Sequence, residues 1–163
     1  MKYQANYPDS VLEILDDEMK FKKGTVRALK NFRRFIRKNR LRGYNDPRII
    51  LQRFYASKRL IEILSIIYRI PVPDVRLGKV SGEPASSGSS CYIPANHTIV
   101  LSGKLSVITL LHEFAHARGR NEREAVRFSV NLFKKVYPKQ FNKLMEGNNN
   151  GQDSHFLSDV AES

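Results

Sequence analysis

The chain predicts an α+β fold in which a helical N-terminal region precedes a small mixed sheet and two further helices. Three observations carry that expectation. Apolar residues recur every three and four positions through most of residues 9–70 and 103–136, the period of helices buried along one side. Between these stretches, residues 74–101 shorten to strand-like runs at 75–80 and 98–101, bounded by Pro, Gly and Ser. The later helical stretch also holds His112-Glu113-Phe114-Ala115-His116, in which two histidines four apart face the same way on a helix.

The elements follow in order. Pro8-Asp9-Ser10 with Glu13 is a capping signature for an acidic first helix through about Met19. Residues 20–44 contain eleven Lys or Arg and no Asp or Glu. Within them Val26, Leu29, Phe32, Phe35 and Ile36 supply an inward stripe, which leaves Arg27, Lys30, Arg33, Arg34, Arg37 and Lys38 around the rest. Those cations suit a nucleic-acid backbone; a solvated helix face explains them equally well, and no nucleic-acid motif accompanies them. Asp46-Pro47 starts a third helix with cap and N1 proline in their preferred order. Ile50, Phe54, Ile61, Leu64 and Tyr68 line one side of it to about Arg69, where Pro71-Val72-Pro73 stops it. A Ser- and Gly-rich loop at 81–90 reads as flexible.

The helix carrying the histidines is expected over 103–118, from a Ser102 cap to Gly119, with Leu105, Ile108, Leu111 and Ala115 inward. A second amphipathic helix is expected over 121–136, with apolar positions 125, 128, 132, 133 and 136. The His-Glu-x-x-His spacing is that of a zinc site: the imidazoles grip one ion, and the intervening Glu113 reaches the water that the ion activates. A hydrolytic zinc site needs a third protein ligand. Glu122 and Glu124 are the candidates, and helical phase favours Glu122: it lies about 50° from the centre of the apolar face, against about 110° for Glu124. Gly119 permits the left-handed turn that would bring it back toward the metal.

With these residues in place the chain resembles the zincin metallopeptidases. HExxH followed by a helix reading Glu122-Arg123-Glu124-Ala125-Val126-Arg127-Phe128-Ser129 is similar to the gluzincins, in particular the small ImmA/IrrE-type proteins, over roughly residues 72–137. The resemblance implies a zincin-like fold, with a metal-binding helix and a ligand helix behind a small mixed sheet. It also implies a strand before the metal helix, read in residues 92–94 and 98–101, that forms the edge on which an extended substrate lies. Val126 stands where that family usually has Asn or Asp, a position tied to contact with a ligand histidine. The short link to Glu122 is instead similar to the metzincin pattern HExxHxxGxxH/D, although Met145 falls in a helix-like context rather than a methionine turn.

The expected activity is a zinc-dependent protease or peptidase in which His112, His116 and Glu122 hold Zn2+ and Glu113 is the general base. Tyr137, His97 and His155 are candidate donors to an oxyanion. The alternative is a basic nucleic-acid-binding module with a structural zinc site. At 163 residues and 41 % hydrophobic, one domain over 1–146 is expected, divided into a basic helical part (1–70) and a metallopeptidase core (71–146), with a flexible tail at 147–163. A net charge of +12 points to a polyanionic partner, such as DNA, RNA or proteins bound to them. The single cysteine, Cys91, and the lack of an apolar leader after Met1 lead to a cytoplasmic expectation. The most apolar run, residues 60–70, is interrupted by Glu62 and Arg69 and too short to span a bilayer.

Overall fold

Two helices, α4 (Val107–Ala117) and α5 (Glu122–Val136), pack against each other more extensively than any other pair of elements. The computed structural model describes residues 9–43, 45–78, 90–102 and 104–149. Around the α4–α5 pair stand α1 (Asp9–Leu12), α2 (Thr25–Lys38), α3 (Pro47–Tyr68) and α6 (Pro138–Asn149), with strands β1 (Asp74–Leu77), β2 (Cys91–Ile93) and β3 (Thr98–Leu101). The fold is mixed α+β. One apolar core runs from Val11 to Met145, and Ile61, Leu64, Leu111, Phe114, Leu132 and Phe141 are fully buried in it.

The sheet order is β1-β3-β2. β3 pairs in parallel with β1, Val75 opposite Ile99, and antiparallel with β2, Tyr92 opposite Ile99. The strand just before the histidine helix is therefore central rather than an edge; among the described residues the edge nearest α4 is β2. Ile99 and Leu101 are buried, as expected for a strand with neighbours on both sides.

Local signals set most boundaries. Asp46 caps α3 by accepting from Arg48 N at 2.9 Å, with Pro47 at its first position. Three helices end with a residue in the left-handed region: Arg40 (φ 52°), Arg69 (φ 54°) and Gly119 (φ 79°). Each end closes with the paired reverse hydrogen bonds of a Schellman motif, as in Leu41 N to Ile36 O and Arg120 N to Ala115 O.

Four sequence expectations are corrected. The first helix stops at Leu12, well short of Met19, because Asn131 on α5 captures the next backbone groups: its Oδ1 accepts from Asp16 N at 2.7 Å and its Nδ2 donates to Ile14 O at 3.0 Å. α4 starts at Val107, beyond the expected residue 103. Leu105 sits at φ 47°, the Arg53 guanidinium donates to Leu105 O at 3.1 Å, and Ser106 is the cap. The inward face of α2 is rotated: Thr25, Ala28, Leu29 and Phe32 are buried, whereas Phe35 is 48 % exposed. The Thr25 hydroxyl donates to Tyr68 Oη at 2.9 Å, which ties α2 to α3 along that face. Finally, α6 continues through Asn149, so the expected tail does not begin at residue 147. The loop at 81–89 and residues 150–163 lie outside the described residues.

Asn131 is 5 % exposed and serves two backbone groups of a segment more than a hundred residues away. Asn131→Ala leaves both unpaired and is expected to lower unfolding free energy by about 2 kcal/mol in chemical denaturation. A loss under about 0.5 kcal/mol would show that water replaces the side chain.

Candidate metal centre

The turn after α4 builds the site. Gly119 N donates to His116 O at 2.8 Å, and the chain reverses through Arg120 into the α5 cap at Asn121. Asn121 and Glu124 form a capping box: Asn121 Oδ1 accepts from Glu124 N at 2.8 Å, and Glu124 Oε1 accepts from Asn121 N at 3.4 Å. Glu124 also lies 3.4 Å from Arg120 Nη1. The capping box therefore occupies Glu124, while Glu122, in the first turn of α5, reaches back over α4.

Glu122 closes on both histidines. Its Oε1 lies 2.9 Å from His112 Nε2, its Oε2 lies 2.7 Å from His116 Nε2, and the two imidazole nitrogens are 3.1 Å apart. Three metal-ligating side chains thus converge, and together they could hold a metal ion. His116 Nδ1 donates to Arg120 O at 3.0 Å, which fixes its tautomer and leaves the Nε2 lone pair facing Glu122. Bonds of about 2.0–2.2 Å to a tetrahedral ion would set ligand atoms roughly 3.3 Å apart. The observed separations are a few tenths of an ångström shorter, so a small opening of the triad accommodates an ion. Among the described residues His112 Nδ1 is buried without a hydrogen-bond partner, and the nearby position 126 on α5 is a buried, apolar valine.

Electrostatics set the site apart from its surroundings. Glu113 is 7 % exposed, and burial pushes its carboxyl up to about 7, opposed by His116 and by the Tyr92 backbone N–H, with Glu122 adding to the rise. The Tyr92 N–H links Glu113 to edge strand β2. Burial holds the His112 imidazole below its ordinary value, against the pull of Glu122. The exposed Cys91 thiol, on the same strand, is raised by desolvation and then by Glu113.

The other sequence candidates fall elsewhere. Tyr137 sits at the far end of α5, about 20 Å along the helix from Glu122. It is stacked on Phe133, and burial pushes its hydroxyl up to about 12. His97 has both ring nitrogens engaged, Nε2 with Pro71 O at 2.7 Å and Nδ1 with Tyr92 Oη at 2.6 Å, and braces the β2–β3 connection. His155 lies outside the described residues. Tyr137 is too far along α5 to serve as an oxyanion donor at the triad, and both ring nitrogens of His97 already have partners. Of the basic residues of α2, Arg27, Lys30, Arg34, Arg37 and Lys38 are exposed. Arg33 instead is half-buried and donates Nη1 to Val136 O at 2.8 Å at the end of α5. Sequence reasoning missed two backbone groups, Arg120 O and Tyr92 N–H, which carry no residue signature. The capping box was legible as Asn-x-x-Glu directly after Gly119 and Arg120.

Compared with protein-family models, with curated proteins and with solved structures, the chain gives no match. No helix among the described residues is long and apolar enough to cross a membrane.

The Glu113 environment makes stability depend on pH. A carboxyl raised from 4.5 to about 7 contributes stability that is fully present below 4.5 and is lost as pH rises through about 7. In chelator-treated protein, the stability advantage of Glu113→Gln over the parent is expected to grow by about 3 kcal/mol between roughly pH 4 and pH 8. A constant difference across that range would mean that Glu113 is not held protonated by burial.

Proposed function

We propose that the chain is a zinc-dependent peptide-bond hydrolase of the zincin type. The observation that carries this proposal is the convergence of His112, His116 and Glu122 beside a buried carboxylate on the same helix. Among the described residues the cluster offers three protein ligands, the number that leaves one position for water; closed structural zinc sites use four. The nitrogen and oxygen donor set also suits zinc. A bound zinc ion supplies a Lewis acid that polarises the scissile carbonyl and lowers the pKa of water at the site toward neutrality.

The remaining work belongs to the chain. Arg120 O holds the His116 ring in place, and the Gly119 turn fixes Glu122 against both imidazoles. Glu113 takes a proton from the attacking water on its carboxylate and later delivers it to the leaving amine. An affinity for protons near neutrality suits a group that must do both. The outer edge of β2 lies beside Glu113 and can pair with an extended substrate backbone, the mode that brings a peptide carbonyl alongside an edge strand. The exposed cations of α2 favour substrates that are themselves associated with nucleic acid, and the lone cysteine fits an enzyme that works in the cytoplasm.

A second reading, a nucleic-acid-binding module with a non-catalytic zinc site, rests on Arg27, Lys30, Arg34, Arg37 and Lys38, which stand exposed on α2. The two separate cleanly. Glu113→Gln is expected to retain one zinc per chain while cleavage of an unfolded protein substrate falls about 10²–10⁴-fold, and His112→Ala is expected to lose the metal. Parental activity in Glu113→Gln would remove the assigned base. Zinc retention with no cleavage by the parent protein would favour the binding module.

A further inference from the structure

A second concave site lies at the other end of α4. The first turn of that helix, the α2–α3 connection, Arg53 of α3 and the α5–α6 junction enclose a cleft of about 430 Å3, within the size range of small-molecule sites. Five cations line it: Arg33, Arg37, Arg42, Arg53 and Lys104. No Asp or Glu does.

Arg37, Arg42 and Lys104 form no salt bridge among the described residues. Arg33 spends Nη1 on Val136 O, yet its buried Nε has no hydrogen-bond partner. Arg53 is braced against Leu105 O at 3.1 Å, which holds its guanidinium at the wall beside the start of α4. The Ser106 end of α4 adds the positive end of a helix dipole to the same wall. Between the cations the lining is apolar: Phe32, Leu41, Phe133 and Tyr137 are buried beneath it, with the Arg33 guanidinium 5.5 Å over the Tyr137 ring, and Leu144 is exposed. Cations gathered around an apolar floor repel one another unless an anion joins them. Planar guanidinium groups match phosphate oxygens through paired hydrogen bonds, and the apolar floor suits a flat, weakly polar body.

We propose that this cleft binds a nucleotide, with the phosphate against Arg37, Arg42 and Lys104 and the base against the apolar side at Leu144. The same chemistry is offered by a free nucleotide and by one nucleotide of a nucleic-acid strand. Neither the metal nor catalysis enters the proposal, so it stands apart from the hydrolase assignment.

Calorimetric titration of the full chain with adenosine triphosphate, pyrophosphate and a short single-stranded oligothymidylate tests it. The triphosphate is expected to bind one per chain, more tightly than pyrophosphate and more weakly as salt rises. Arg37→Ala with Lys104→Ala is expected to weaken binding at least about tenfold, whereas Lys23→Ala with Arg59→Ala, exposed and outside the cleft lining, should change it less than about twofold. All four side chains are exposed, and an unchanged thermal midpoint in the free variants verifies their folding. Binding of the oligonucleotide alone, with the same sensitivity to the Arg37 and Lys104 pair, assigns the cleft to a strand. Absence of binding by all three probes, or equal weakening by both variant pairs, overturns the proposal.

Discussion

The carboxylate of Glu122, held between two imidazoles, is the interaction on which the candidate centre depends. It exists because α4 ends in a Schellman turn at Gly119, at φ 79°, where a residue with a Cβ would be strained. That turn reverses the chain within four residues. It places the α5 cap so that Glu124 is drawn into the helix start while Glu122 is left facing α4. The same reversal presents Arg120 O to His116, so one backbone turn supplies both a ligand and the orientation of another. The packing of α4 on α5 then fixes the geometry, since Leu111, Phe114, Ala125 and Leu132 are all fully buried.

The donor set also has a direction. Two Nε2 atoms and a carboxylate meet within hydrogen-bonding distance of one another, and only a proton or a cation reconciles them. Burial lowers the proton affinity of His112, which favours a metal over a proton at that nitrogen. Burial acts oppositely on Glu113, which it holds near 7. Two acidic side chains nine residues apart therefore sit in different environments, one buried and the other facing the histidines.

What could be read from the sequence was what neighbouring residues decide. The His112 and His116 spacing, the Gly119 stop, the Asp46-Pro47 start and the phase that favours Glu122 over Glu124 are all local, and the geometry follows them. What escaped was set by distant partners. Asn131 ends α1 early by binding the backbone at Ile14 and Asp16, and Arg53 holds Leu105 O out of α4. Arg33 shows the limit of charge patterning: its position among cations suggested a free surface, but its guanidinium closes the end of α5. The order β1-β3-β2 also could not come from local pattern, because a parallel pair places in register strands far apart in sequence.

The basic end and the histidine end share α4, which makes it the spine of both candidate sites. The measurement closest to the central claim is X-ray absorption at the zinc edge, on protein loaded with one equivalent of the metal. Two imidazoles, one carboxylate and one further light-atom ligand at about 2.0–2.2 Å are expected, with no sulfur shell. A zinc–sulfur distance of about 2.3 Å, which would bring in Cys91, or a shell without two imidazoles, would contradict a centre built from His112, His116 and Glu122.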